Sequence, residues 1–135
     1  MHEGHKEPEA ISAEVNLVGK AAMDAAFRVH SAFGPGLLES FYEACLLEEV
    51  RAAGLTVERQ VAIPLRYREA HLDVGFRLDL LVERTVIMEI KAIDALASIH
   101  TAQVLTYLKF SNLRLGYLIN FNVSRLKDGL RRIVL

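Results

Sequence analysis

The stretch FRLDLLVERTVIMEIKA, Phe76 to Ala92, constrains the fold of this chain more than any other. It is apolar enough for two buried strands, yet Asp79, Glu89 and Lys91 interrupt it. Side chains alternate across a strand, so Phe76, Leu78, Leu80 and Val82 share one face and Arg77, Asp79, Leu81 and Glu83 the other. In the second half Val86, Met88, Ile90 and Ala92 oppose Ile87, Glu89 and Lys91. One face of the pair is expected to be wholly apolar, with the charges on the other. A hairpin with a three-residue loop, Glu83 to Thr85, sets Asp79 directly opposite Glu89, whereas a two-residue loop separates them. Facing carboxylates that are partly buried repel one another, so the first arrangement demands a compensating cation. Lys91 supplies one positive charge, and a divalent ion would supply the rest. Hard carboxylate oxygens suit Mg²⁺, which keeps several waters and serves phosphate chemistry.

The rest of the chain supplies the layers around such a pair. Residues 1–10 read as a flexible polar N-terminus and residues 11–135 as a single domain. Val15, Val18, Ala22, Ala25, Val29 and Phe33 recur at helical spacing, and the helix they predict ends at Gly34-Pro35-Gly36. A second helix from Leu38 presents Leu38, Phe41, Tyr42, Cys45, Leu46 and Ala53 on one side and stops at Gly54. TVERQVAIPLRYR is extended, with Val57, Val61 and Ile63 of one parity and Pro64 as an edge or a break. After the central pair come a helix from Ser98 to Asn112 and the apolar strand RLGYLINF, whereas the tail RLKDGLRRIVL fits either a short helix or a strand. The order α-α-β-β-β-β-α-β predicts an α/β fold with a mixed central sheet flanked by helices.

Composition narrows the function classes. A chain of 135 residues with 52% hydrophobic content can bury a real core. A net charge of -1 and a pI near 6.5 exclude a global positive field for nucleic acid or membrane, so any phosphate binding must be local. The single cysteine, Cys45, falls at an apolar helix position and reads as a buried reduced thiol, which suits a cytoplasmic protein. No apolar run approaches the ~20 residues that span a bilayer, and no membrane partner is expected.

GLLESFY at 36–42 resembles the signature of the GxxExxY proteins, named for Gly36, Glu39 and Tyr42. The blocks VHSAFGPGLLESFYEACL, GFRLDLLVE, VIMEIKA, HTAQVLTYLK and GYLINFNVSRLKDGLRRIV are similar to that family's successive blocks, in order. The family is placed in the PD-(D/E)XK nuclease superfamily. The resemblance therefore implies a restriction-endonuclease-like core and a Mg²⁺-dependent phosphodiesterase, with Mn²⁺ as substitute, acting on nucleic acid and first of all on DNA. It assigns the acidic residue and the following E-x-K to Asp79 and Glu89-Ile90-Lys91. Asp79, Glu89 and the Ile90 carbonyl would hold the metal, and Glu39 would complete the site. Lys91 would orient or help deprotonate the attacking water. QVLTY reproduces the Q-x-x-x-Y element of RecB-like members, with Gln103 and Tyr107 one turn apart and His100 on their face. Gln103 would position the nucleophile or a phosphate oxygen, and Tyr107 would do so less directly.

Other residues receive smaller expectations. His30, Gln60 and His100 are candidates to brace the ligating side chains from behind, and Tyr42 reads as a core residue. His2 and His5 could take up adventitious metal. Arg125, Lys127, Arg131 and Arg132 read as a solvated face rather than a phosphate site. With no separate recognition domain at this size, specificity would come from a homodimer or a partner protein, or be absent. The rival function is a catalytically silent nucleic-acid-binding or protein-interaction module that keeps the nuclease fold.

Overall fold

In the computed structural model, which describes residues 10–135, Ser12 caps the first helix by accepting the Val15 amide at 3.2 Å. Helix α1 (Ala13–Phe33) buries a stripe of small residues, Gly19, Ala22, Ala25 and Ala26, followed by Val29. A methyl group at Gly19 would lie 2.8 Å from the Tyr117 hydroxyl, so small residues here let the helix lie directly on the sheet. The expected flexible N-terminus, with His2 and His5, lies outside the described residues apart from Ala10.

Helix α2 (Glu39–Ala52) buries Tyr42, Glu43, Leu46, Leu47 and Val50. This stripe is rotated from the expected one: Leu38 is 76% exposed and Phe41 38%, and Cys45 is only half-buried. The i, i+4, i+8 set of Tyr42, Leu46 and Val50 faces the sheet instead, and Phe41 packs edge-on to Phe33 at 4.9 Å. Burial and the neighbouring Glu49 push the Cys45 thiol up, which disfavours its thiolate.

The strands are β1 (Val57–Ala62), β2 (Leu65–Tyr67), β3 (Ala70–Leu72), β4 (Arg77–Val82) and β5 (Val86–Lys91). After helix α3 (Ser98–Ser111) come β6 (Leu115–Asn120), a 3-10 turn (Leu126–Gly129) and β7 (Leu130–Val134). The tail is thus both short helix and strand in succession. Pro64 is the break, and beyond it β2 and β3 form a small separate hairpin, of which β3 was not expected. The main sheet runs β1-β4-β5-β6-β7, antiparallel except for the β5–β6 pair, which α3 joins as a crossover. One core cluster lies between the sheet and α1 and α2, and holds Val86, Met88, Ile90, Leu115 and Ile119. The second lies under α3 and holds Ile87, Val104, Leu108, Leu118 and Ile133.

Alternation holds along β5 and fails along β4. Leu80 and Val82 pack in the first cluster, but Leu78 packs in the second, and Phe76 sits 6.2 Å from Tyr107 of α3. β1 turns over at the same level, with Val57 against the first cluster and Val61 and Ile63 in the second. The register is unchanged across the switch, Arg59 opposing Leu80 and Val61 opposing Leu78, so no residue is inserted. Both strands roll together at the Gln60–Asp79 level, where Gln60 has φ 51. The expected wholly apolar face therefore ends at Asp79.

Tyr42 ties the connection between the first two helices. Its hydroxyl donates to the Gly34 carbonyl at 2.6 Å and accepts the Leu37 amide at 3.1 Å, while the ring stacks on Phe121 at 4.6 Å. Gly36, at φ 98, donates its amide to Asn122 Oδ1 at 3.0 Å. Tyr42→Phe should keep the stacking and lose both hydrogen bonds, lowering stability by about 1–2 kcal/mol in urea unfolding. Faster amide exchange at Leu37 would locate the loss, and unchanged exchange there would show the loop to be held by other means.

Candidate active site

Asp79 and Glu89 meet where the β4–β5 ladder ends. The hairpin loop is Glu83 to Thr85, and the pairs Val82–Val86, Leu81–Ile87 and Leu80–Met88 place Asp79 level with Glu89, as the three-residue alternative required. At that level the backbone ladder stops, and side chains take its place. The Asp79 amide donates to Glu89 Oε1 at 3.0 Å, and the Ile90 amide donates to Asp79 Oδ2 at 2.9 Å. Each carboxylate thus satisfies the amide that the other strand has lost. The N–H and C=O of one strand residue point to the same side, so the Ile90 carbonyl also faces the gap that β4 vacates.

Burial dominates the electrostatics. Glu89 is 3% exposed, and its carboxyl is pushed up to about 9 by burial first and then by the charge of Asp79, against a smaller opposing effect of Lys91. Lys91 is half-buried and forms no salt bridge among the described residues. Glu39 stands exposed at the mouth, where partial burial raises its carboxyl, Lys91 opposes this, and Asp79 and Glu43 add to it. Those couplings put Glu39 within electrostatic reach of Lys91, Asp79 and Glu43.

Helix α3 lines the other side. Lys91, Gln103, Tyr107, His100 and Phe76 border a cleft of about 490 Å³. Burial and then Glu89 and Asp79 raise the Tyr107 hydroxyl, which keeps it a neutral donor. His100 accepts the Ala97 amide on Nδ1 at 2.8 Å, closing the first turn of α3. Arg131 is a strut, not a solvated charge: its guanidinium donates to Thr101 Oγ1 at 2.8 Å and to the Ala97 and Leu96 carbonyls at 3.2 and 3.3 Å.

Several expected roles fall differently. His30 Nε2 lies 2.7 Å from the Val123 carbonyl, so the ring braces the turn after β6 and not a ligating carboxylate. Gln60 does reach Asp79, with Nε2 3.4 Å from Oδ1, and it also reaches Glu43 Oε2 at 3.0 Å. Glu43, one turn after Glu39, is 7% exposed and sits 3.2 Å from Arg59 Nη2. That spacing was the available signal. Asn120 was not anticipated either. It is 1% exposed and clamps the chain just after Lys91, accepting the Ile93 amide at 3.1 Å and donating to the Ile93 carbonyl at 2.9 Å.

The donor set could hold a hard divalent cation. Two hard carboxylates and a carbonyl converge on one gap, and the buried Glu89 carboxylate lacks the charge that would let it ionise. Among the described residues, no three His, Cys, Asp or Glu side chains are grouped as a ready metal cage. The residues present could hold an ion by two carboxylates, with water completing the set. This arrangement, an acidic strand residue followed by Glu-x-Lys on the next strand beside a parallel crossover, defines a class. A model of the PD-(D/E)XK nuclease superfamily matches residues 16–133, and the chain belongs to that superfamily. No curated protein and no solved structure matches it. No helix among the described residues is long and apolar enough to cross a membrane.

The raised Glu89 carboxyl links stability to pH. Between about 4.5 and about 9 the folded state holds a proton that the unfolded state has released, so this contribution is full below 4.5 and is lost as pH rises through 9. Metal-free protein should lose stability across that window, with up to about 1.4 kcal/mol per pH unit from this group. Glu89→Gln should flatten the slope in urea titrations at successive pH values. Parallel curves for the two proteins would show Glu89 to be ionised throughout.

Proposed function

We propose that this domain is a Mg²⁺-dependent phosphodiesterase of the GxxExxY type that cuts nucleic acid, with DNA as the first substrate to test and Mn²⁺ able to substitute. The observation that carries the reading is the mutual capture of Asp79 and Glu89 where the ladder ends, near Lys91, which forms no salt bridge among the described residues. Asp79, Glu89 and the Ile90 carbonyl would hold the ion, with Glu39 closing the set. When bound, Mg²⁺ supplies charge neutralisation at the phosphodiester and lowers the pKa of a water. Lys91 orients the attacking water and stabilises the charge that develops on phosphorus-bound oxygens. Gln103 and the Tyr107 hydroxyl donate hydrogen bonds from the cleft wall and fix the phosphate or the nucleophile. The cleft they share with Phe76 and His100 receives the strand. A homodimer or a partner protein would supply sequence or structure preference. The reduced Cys45 agrees with a cytoplasmic setting.

A catalytically silent nucleic-acid-binding or protein-interaction module is the second reading, and one observation favours it. Asp79 and Glu89 already accept backbone amides, so the cluster is partly satisfied without metal.

Cleavage of single-stranded, duplex and branched substrates, with Mg²⁺, Mn²⁺ or EDTA, separates the two. Lys91→Ala should keep Mg²⁺ binding and reduce cleavage by about 10²–10³-fold, because an ammonium is not a ligand. Glu89→Gln should lose both. Wild-type protein that binds Mg²⁺, cuts none of these substrates and is unchanged by Lys91→Ala would leave the silent module as the better account.

A further inference from the structure

The Gln60 backbone carries an inference of its own, which rests on the divalent-cation reading above. Gln60, Arg68, Glu83, Arg84 and Asn112 are the non-glycine residues with positive φ among those described. Arg68, Glu83 and Arg84 lie in hairpin turns and Asn112 caps α3, where this conformation is expected. Gln60, at φ 51, lies inside β1. A left-handed residue within a strand interrupts its pairing and is unfavourable for a side chain with a Cβ. The β1–β4 pairs skip Gln60 and Asp79 while continuing on both sides, down to the bond from the Ile63 amide to the Phe76 carbonyl at 3.0 Å.

What the unfavourable conformation achieves is visible in the side chain. The Gln60 carboxamide is turned to donate to Glu43 Oε2 at 3.0 Å and lies 3.4 Å from Asp79 Oδ1. Glu43 is buried on α2, and Arg59 Nη2 lies 3.2 Å from its other oxygen as an ion pair without hydrogen-bond geometry. Asp79 thus has a donor on each oxygen, Ile90 N–H on Oδ2 and Gln60 on Oδ1, and each oxygen retains a lone pair. We propose that Gln60, anchored by Glu43, is a positioning residue that holds the Asp79 carboxylate in the orientation required for the cation. The strain in β1 is retained for that purpose. Local strain that the surrounding structure maintains is a recognised companion of functional sites, and outer hydrogen-bond partners govern ligand geometry.

Gln60→Gly tests this, because glycine adopts φ 51 freely and removes the carboxamide. The Mg²⁺ and Mn²⁺ affinity of folded Gln60→Gly, measured by calorimetry, should fall by about 10–100-fold. Gln60→Asn, which also tolerates positive φ but is one methylene short, should show the same weakened affinity and provides the reading if the glycine variant does not fold. A purely structural Gln60 predicts unchanged affinity in the folded fraction, whatever the loss of stability from the stranded Glu43 oxygen. Wild-type protein that binds the ion, with both variants binding it equally well, overturns this inference alone. Wild-type protein that binds neither ion overturns the divalent-cation reading and this inference with it.

Discussion

Two hydrogen bonds hold the centre of this molecule together: the Asp79 amide to the Glu89 carboxylate, and the Ile90 amide to the Asp79 carboxylate. A sheet whose strands diverge leaves buried amides without partners, which costs about as much as the lost bonds are worth. Here the acidic side chains substitute for the missing carbonyls, so β4 can depart from β5 inside the protein and not at its edge. The fork that results is the candidate site. The acidic pair therefore has a role in the fold as well as in the proposed chemistry.

That arrangement leaves an electrostatic debt. Glu89 is nearly fully buried beside a second carboxylate, and its raised carboxyl measures how poorly the fold stabilises its charged form. Removing one side chain from such a pair also strands a backbone amide, so the site cannot be simplified residue by residue without loss. That shortage of positive charge is what the proposed divalent cation would offset.

The surroundings are built to keep the fork still. Lys91 ends β5, the strand that α3 connects in parallel to β6, and open α/β sheets bind ligands beyond the carboxyl ends of such strands. Asn120, level with Lys91 on β6, clamps Ile93, and Arg131 holds the segment before α3. On the other side, Tyr42 and Asn122 secure the Gly34–Leu37 turn and so fix where α2 and Glu39 begin. Tyr42 and Gly36 of the GLLESFY segment thus serve geometry, and Glu39 is the residue they deliver.

Local chemistry made much of this legible in the sequence. Helical spacing of small and branched residues, glycine and proline at the turns, and the alternation of Val86, Met88 and Ile90 against Ile87 and Glu89 depend on neighbours a few residues away. The length of the Glu83–Thr85 loop likewise bears on which residues face each other, although a two-residue loop was equally open to the sequence. The rollover of β1 and β4 was not legible, because alternation assumes an unbroken strand and φ 51 at Gln60 has no signature in a residue type that rarely adopts it. Nor was the burial of Glu43, since its i+4 spacing from Glu39 describes a solvated face as well as a cleft wall until β1 is laid against α2. The sequence by itself determined most of the order of elements and left the pairing of Asp79 with Glu89-x-Lys91 as one of two loop alternatives. Tertiary structure decided which side of β4 remains apolar, which acids are buried and what Gln60 touches, because these depend on contacts between segments distant along the chain.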